Sequence, residues 1–183
     1  MSDNGLEFHY VCTLEEARKI VDEHDHYWVC DCACREHRGP CKRSRMDVCL
    51  QFASKTAADG SNKNKASRTT VDRILDEAKE KHLVPRPFRN NDDQSKTDGI
   101  CFCCDDCCGY FLGLHEPCDK GAMIESTNTS LCNGCGVCAE VCHFGSRTMG
   151  DNGQLVVDTE RCYGCGLCVD VCPTDSIIMV NRS

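Results

Sequence analysis

The feature that most constrains this chain is a cysteine pattern that occurs twice in its last third. The spacing C-x2-C-x2-C-x3-C runs from Cys132 to Cys142 and returns unchanged from Cys162 to Cys172. In both copies the second cysteine lies between two glycines, and Pro173 follows the second copy. A repeat with one conserved spacing indicates two equivalent structural units.

Four thiolates at this spacing suit a cubane iron–sulfur cluster, in which each of four irons needs a sulfur ligand. Three cysteines on a tight loop reach three irons only if the backbone between them turns freely. Gly134, Gly136, Gly164 and Gly166 permit that turn, because glycine reaches positive φ without a Cβ clash. Zinc knuckles and a disulfide scaffold are the alternatives, and two identical four-cysteine patterns favour the clusters.

At these cysteines the segment resembles bacterial-type ferredoxins with two [4Fe–4S] clusters. In that family the last cysteine of each pattern ligates the other cluster. The resemblance therefore implies two clusters with separate ligand sets. The first cluster would be bound by Cys132, Cys135, Cys138 and Cys172. The second would be bound by Cys162, Cys165, Cys168 and Cys142. It also implies a pseudo-twofold βαβ/βαβ dicluster module over residues 121–183. Residues 154–158 and 176–180 are predicted strands within it.

One residue departs from the family pattern. His143 follows Cys142 where the family usually has proline. Proline fixes φ and removes a backbone donor. Histidine is therefore expected to change the local hydrogen bonding and the reduction potential, but not the ligation.

The overall cysteine content indicates metal binding in a reducing compartment. Cysteine accounts for 20 of the 183 residues, a density that in a secreted chain would indicate disulfides. The N-terminal residues do not resemble a secretory leader, and no apolar run has the length of a membrane span. We therefore predict a cytoplasmic protein of an anaerobe, without membrane insertion, whose thiols are metal ligands.

The charge is distributed unevenly. Residues 101–183 contain 4 Lys/Arg and 11 Asp/Glu, a balance of −7 out of the total of −8. Such a surface favours docking on a basic patch of a redox protein or of a larger oxidoreductase complex. It disfavours nucleic acid, which needs a basic footprint.

Residues 1–120 are predicted to form a small, mainly helical, cysteine-rich domain, so that the whole chain is α+β. Helices are expected from Thr13 to about residue 23, from Met46 to about residue 55, and from Thr69 or Thr70 to about residue 82. Residues 27–35 are read as a strand that runs into a loop. In an extended chain, Cys30, Cys32 and Cys34 would lie on one face.

The cysteines of this domain are the second group of predicted ligands. Metal binding is expected where residues 30–49 meet residues 101–108. The predicted ligands are Cys32, Cys34, Cys41, Cys49, Cys101, Cys103, Cys104, Cys107 and Cys108. Adjacent residues of an extended segment point oppositely, so Cys103 and Cys104 need not bind the same metal. The combination of CxCR, CxCCxxCC and a ferredoxin module resembles a poorly characterised group of anaerobe iron–sulfur proteins. That resemblance implies one or two additional [4Fe–4S] clusters; zinc is the alternative.

Together these features predict an electron carrier, or an electron-transfer subunit of an oxidoreductase, rather than a stand-alone enzyme. The sequence has no flavin or nicotinamide motif and no phosphate-binding loop. A first alternative is thiol or disulfide reduction at a special cluster near Cys101–Cys108. A second is a redox- or metal-sensing regulator that uses the helix around Val71 to read DNA.

Overall fold

The computed structural model describes residues 5–55, 61–113 and 116–183. Up to residue 119 these residues are organised by a seven-stranded sheet. Its strands are β1 (His9–Tyr10), β2 (Tyr27–Cys30), β3 (Cys49–Gln51), β4 (Asn64–Ala66), β5 (Val84–Arg89), β6 (Thr97–Cys103) and β7 (Cys118–Asp119). Their order across the sheet is β4-β2-β3-β6-β5-β1-β7. All pairings are antiparallel except that of β1 with β7.

Three helices accompany this sheet: α1 (Leu14–Asp22), α2 (Ala33–Arg38) and α3 (Arg68–Glu80). The predicted capping box of α1 is confirmed. Thr13 Oγ1 accepts the Glu16 N–H at 3.1 Å, and the Glu16 carboxylate accepts the Thr13 N–H at 2.8 Å. This reciprocal pair satisfies donors that the first helical turn leaves without a partner.

Helix α3 packs into the core rather than presenting a free face. It begins after Ser67, slightly earlier than expected, because the Ser67 side chain accepts the Thr70 N–H. The predicted apolar stripe is confirmed, since its members are all buried in the core: Val71, Ile74, Leu75 and Ala78. Burial of such a stripe is what holds most helices in place.

The prediction of a mainly helical N-terminal domain is not confirmed, because the seven-stranded sheet organises this region. The helix expected from Met46 is wrong; β3 lies there, between β2 and β6. Both sides of this strand are covered, so Val48, Cys49 and Leu50 are all buried. A short apolar run of this kind has no alternating pattern that distinguishes a strand from a helix.

The expected alternation of Cys30, Cys32 and Cys34 is also wrong. Strand β2 ends at Cys30, and α2 begins at Ala33 with Cys32 as its N-cap residue. Cys34 therefore projects from the first turn of a helix. The turn from strand to helix separates the directions of the three thiols, which a continuous strand would have aligned.

The C-terminal part consists of two halves with matching local structure. The first half has β8 (Met123–Thr127), α4 (Val137–Glu140) and β9 (Arg147–Met149), and the second has β10 (Leu155–Val157), α5 (Leu167–Asp170) and β11 (Ile177–Asn181). Strand β8 pairs with β11, and β9 pairs with β10. The two predicted strands correspond to β10 and β11 and are confirmed. Both helices follow a left-handed glycine, Gly136 or Gly166, each with φ of 78°.

The two parts of the chain share an apolar cluster. Val11 and Val84 from the sheet side pack with Val141 and Leu167 from the C-terminal halves. The longest helix among the described residues is α3, with 13 residues, and none of these helices is long and apolar enough to cross a bilayer.

Candidate metal centres

The eight C-terminal cysteines surround two separate cavities. We call the two copies of the C-x2-C-x2-C-x3-C pattern the first and second ladders. The first cavity combines three thiols of the first ladder with the last thiol of the second, and its cysteines are Cys132, Cys135, Cys138 and Cys172. The second has the reciprocal composition, Cys142, Cys162, Cys165 and Cys168. The fold thus brings the last cysteine of each ladder to the three leading cysteines of the other. This is the grouping that the predicted ligand sets require.

The loops around these cavities fit a cubane cluster. Gly164 has a φ of 83°, and a Cβ at this position would lie 2.1 Å from the Met123 carbonyl oxygen. Only glycine therefore lets the second loop pass this close to β8. In the first loop, the side-chain oxygen of Asn133 accepts the Cys135 N–H at 3.2 Å and holds the turn closed. The four-thiol composition of each cavity completes the fit.

A buried arginine lies between the two cavities. Arg147 Nη1 is 3.5 Å from the Cys138 sulfur, and Arg147 also lines the second cavity. Its guanidinium pairs with Glu125, which is buried as well, and donates to Thr127 at 2.7 Å. Burial opposes its charge, but Cys168, Glu125 and Cys138 together outweigh burial and raise the pKa of Arg147. Arg147 therefore places a lasting positive charge between the two sites.

Seven of the nine predicted N-terminal ligands line a third cavity, together with Cys30. This cavity has a volume of about 250 Å³, compared with about 10 and 20 Å³ for the two C-terminal ones. The seven are Cys32, Cys34, Cys49, Cys101, Cys103, Cys107 and Cys108. Strands β3 and β6 are neighbours in the sheet, so they bring Cys49 close to Cys101. Helix α2 supplies Cys34, and the turn after β6 supplies Cys108.

Six of these thiols form a continuous series of contacts: Cys101 with Cys49, Cys49 with Cys32, Cys32 with Cys34, Cys34 with Cys108, and Cys108 with Cys103. The contact with Cys34 raises the pKa of Cys32 to about 12. The contact with Cys49 lowers the pKa of Cys101 to about 5. Opposite shifts in neighbouring thiols arise because each thiolate accepts a hydrogen bond from a protonated neighbour.

Arg86 shows that this third cavity is built for negative charge. The residue is 1% exposed, and its Nη1 lies 3.0 Å from the Cys108 sulfur and 3.3 Å from Glu116. Within the described residues, its Nε and Nη2 are buried and have no hydrogen-bond partner. Such donors are costly unless they are matched by an acceptor. The sulfurs of an anionic iron–sulfur cluster would supply one, so the cavity fits a cluster as well as its thiols do.

Arg86 and His9 also line this cavity, and sequence reasoning missed both. His9 Nε2 is 3.9 Å from the Cys101 sulfur, and His9 Nδ1 is 3.6 Å from Glu116. No spacing relates either residue to the cysteine motifs. The one available signal was a charged residue between Pro85 and Pro87 in a short segment that also contains Val84 and Phe88.

Cys107 also belongs to a second, tighter group, together with Cys41 and Cys104, the two predicted ligands that do not line the cavity. The Cys104 sulfur lies 3.4 Å from that of Cys41 and 3.5 Å from that of Cys107, and all three lie within 4.8 Å of one another. Cys103 and Cys104 therefore belong to different groups, as opposite directions along β6 allow. Next to both groups lies Arg35, which is 1% exposed. Burial opposes its charge, but the thiolates of Cys32, Cys107 and Cys41 raise its pKa.

Comparison with known proteins agrees with the C-terminal site. Residues 131–176 match the family described as the 4Fe-4S dicluster domain. The match includes all eight ladder cysteines and none of the twelve cysteines before residue 120. No curated protein matches the chain. The C-terminal part is therefore a ferredoxin-like iron–sulfur domain, a class that carries out electron transfer.

Proposed function

We propose that this protein relays low-potential electrons to or from a separate redox partner. The electrons would pass through two ferredoxin-type clusters and one further cluster, held by the six contacting thiols of the third cavity. The C-terminal residues 121–183 would form the pseudo-twofold module. The remainder would form a cysteine-rich domain that holds the additional cluster. When bound, iron–sulfur clusters supply one-electron transfer at potentials set by charge, hydrogen bonds and solvent exposure.

The observation that carries this proposal is the packing between the cavity and the second ferredoxin site. Cys103 and Cys108 of the cavity belong to the same apolar cluster as Cys165 of the second ladder. Tyr110 and Tyr163 join them there, with ring centroids 5.7 Å apart. Thiols of both sites therefore contact the same apolar cluster. This close packing suits electron transfer between a cluster in the third cavity and the second ferredoxin cluster.

The first ferredoxin site supports exchange with a partner. Cys135 is an exposed thiol of that site. Exposed apolar residues lie around the same domain, including Leu131, Val156 and Ile178. The acidic balance of residues 101–183 would attract a basic docking patch. We therefore place the partner at the first site and the internal connection at the second.

The test of this proposal uses the number of thiols in the cavity. Replacing Cys34, Cys101 and Cys103 together by serine leaves three of the six thiols that contact one another, fewer than the four that a cubane requires. Of the other two cysteines that line the cavity, Cys30 donates its thiol to the Cys49 carbonyl and Cys107 contacts Cys104. We expect iron to fall from about twelve to about eight per chain, with the ferredoxin clusters intact. Iron, labile sulfide and electron paramagnetic resonance (EPR) spectra would be measured anaerobically. Cys12→Ala, a buried cysteine that lines none of the three cavities, is the control.

An iron content of about eight in both the wild-type protein and this triple variant would contradict the proposal. The protein would then be a dicluster ferredoxin with an additional thiol-rich domain. The control variant Cys12→Ala should keep the wild-type iron content, because Cys12 packs in the hydrophobic core.

Disulfide reduction is a second candidate function, and the size of the third cavity favours it. Six thiols exceed the four that a cubane binds, and the remaining two would border a cavity of about 250 Å³. Two electrons, delivered one at a time, and two protons would convert a disulfide into two thiols. Reoxidation of the reduced protein by a small disulfide, lost in Cys34→Ser while iron is retained, would support this function. Reoxidation at equal rates in both proteins would exclude it.

A further inference from the structure

The tight group of Cys41, Cys104 and Cys107 has the geometry of a site for one metal ion. Four sulfurs around a single tetrahedral zinc, at about 2.3 Å each, lie about 3.8 Å from one another. In this group the Cys104 sulfur lies 3.4 Å from that of Cys41 and 3.5 Å from that of Cys107. The thiolates of a cubane bind four separate irons and radiate outward. Their sulfurs are consequently farther apart than sulfurs that share one ion.

Backbone N–H groups donate to two of these three sulfurs. The Cys41 sulfur accepts the Arg43 N–H at 3.4 Å. The Cys104 sulfur accepts hydrogen bonds from the N–H groups of Asp106 and Cys107. The C-x2-C turn thus places two thiols and their amide donors around one point. Metal ligands need this kind of outer support to keep the ligand oriented.

We propose that Cys41, Cys104 and Cys107 bind one zinc ion, separately from the iron–sulfur clusters. Thiolate ligands select zinc among the common divalent ions that lack redox chemistry. Within the described residues, no fourth Cys, His, Asp or Glu atom joins this group within 4.8 Å of all three sulfurs. Among the described residues the site thus offers three ligands, and the zinc would take its fourth ligand from outside this group.

The zinc would connect two segments next to the boundary between the two parts of the chain. Cys41 lies between α2 and β3, and the C-x2-C turn follows β6. Between the two cysteines of that turn lies Asp105, which pairs with Arg43 and is 3.7 Å from His143 of the ferredoxin-like domain. A metal ion here would fix the turn that the C-terminal domain contacts.

The test measures metals in the full chain, purified anaerobically in the presence of both zinc and iron. We expect about one zinc per chain, with three sulfur neighbours at about 2.3 Å by zinc X-ray absorption. Cys41→Ser/Cys104→Ser leaves one thiolate and should abolish zinc while iron and sulfide stay at the wild-type values. Cys107 is left unchanged because it also lines the large cavity.

The triple variant Cys34→Ser/Cys101→Ser/Cys103→Ser is the reciprocal control and should lose iron but keep zinc. Failure of the zinc site is thereby distinguished from failure of the third cluster. The proposal is overturned if the wild-type protein contains no zinc, or if the zinc-site double variant loses iron and sulfide together. The absorption measurement on the wild-type protein decides the question even where a variant fails to fold.

Discussion

Three arginines, Arg35, Arg86 and Arg147, are among the most buried residues of the protein. Arg86 and Arg147 lie within 3.0–3.7 Å of cysteine sulfurs. Burying a guanidinium is expensive unless negative charge and acceptors surround it. Anionic metal–thiolate centres would provide both, so the arginines are evidence for such centres that does not depend on the cysteine motifs.

We expect Arg86→Met to make the third cluster labile. The variant removes hydrogen bonds from a charged donor, which are worth about 1.5–3 kcal/mol, or about tenfold or more in a rate that tracks this free energy. The measurement is the rate at which an iron chelator removes iron from the reduced protein. Four of about twelve irons should leave faster, while the other eight keep their rate.

Arg86→Lys is the matched control, because it retains the charge but not the planar set of donors. Its rate should lie between those of the wild type and Arg86→Met. Equal rates in all three proteins would show that Arg86 makes no contact with a cluster.

Arg147→Gln should lower the reduction potentials of both ferredoxin clusters. A positive charge next to a cluster stabilises the reduced state of that cluster. Removing this charge should lower the reduction potential by on the order of 100 mV. The measurement is a redox titration monitored by EPR. Glu125→Gln/Arg147→Gln removes both partners of the buried pair and should return the potentials toward the wild-type values. A rise in potential in Arg147→Gln would contradict this account.

At the scale of elements, the sequence motifs predicted the ferredoxin-like domain better than the domain before it. The Thr13 capping box and the α3 stripe depend on neighbours in sequence, and both were predicted correctly. Strand β3 was misread because its burial on both sides is decided by β2, β6 and the cavity.

The same limit applies to the candidate sites. The resemblance to dicluster ferredoxins implied the reciprocal grouping of Cys142 and Cys172, and the two cavities are lined in that arrangement. The division of the nine N-terminal cysteines into six and three depends on how α2 and the turn after β6 meet in space. No local sequence pattern specifies the contact between α2 and that turn. The sequence therefore predicted only the region of the metal site and not the grouping of its cysteines.

His143 shows how one departure from a family pattern connects two elements. Its side chain is 2% exposed, and its Nε2–H donates to the His82 carbonyl at 3.0 Å, just after α3. On its other side lies Asp105 of the proposed zinc turn. Proline at this position could make neither contact. The histidine thus ties the ferredoxin-like domain to the cysteine-rich domain.

We therefore expect His143→Leu to weaken the contact between the two domains. The variant leaves the His82 carbonyl without its donor, which costs about 1–3 kcal/mol for a buried group. Anaerobic thermal unfolding should show a lower midpoint, and limited proteolysis near residue 120 should be faster. His143→Gln retains a side-chain donor and should lose less. Identical midpoints for wild type and His143→Leu would contradict the proposed tie.

At the scale of the whole molecule, the negative charge of residues 101–183 predicts that the protein reduces basic electron acceptors faster than acidic ones. A basic c-type cytochrome should accept electrons from the reduced protein faster than an acidic acceptor of similar potential. The rate should fall as ionic strength rises, because the Debye length shrinks from about 30 Å at 0.01 M to about 8 Å at 0.15 M. A rate that rises with salt would indicate a positively charged docking surface instead.

The central claim, a third cluster beside a ferredoxin-type pair, is tested most directly by counting iron and labile sulfide per chain in anaerobically purified protein. About twelve of each are predicted, four for each of the three cavities. About eight of each would contradict the claim, since the C-terminal pair alone would then account for all the iron.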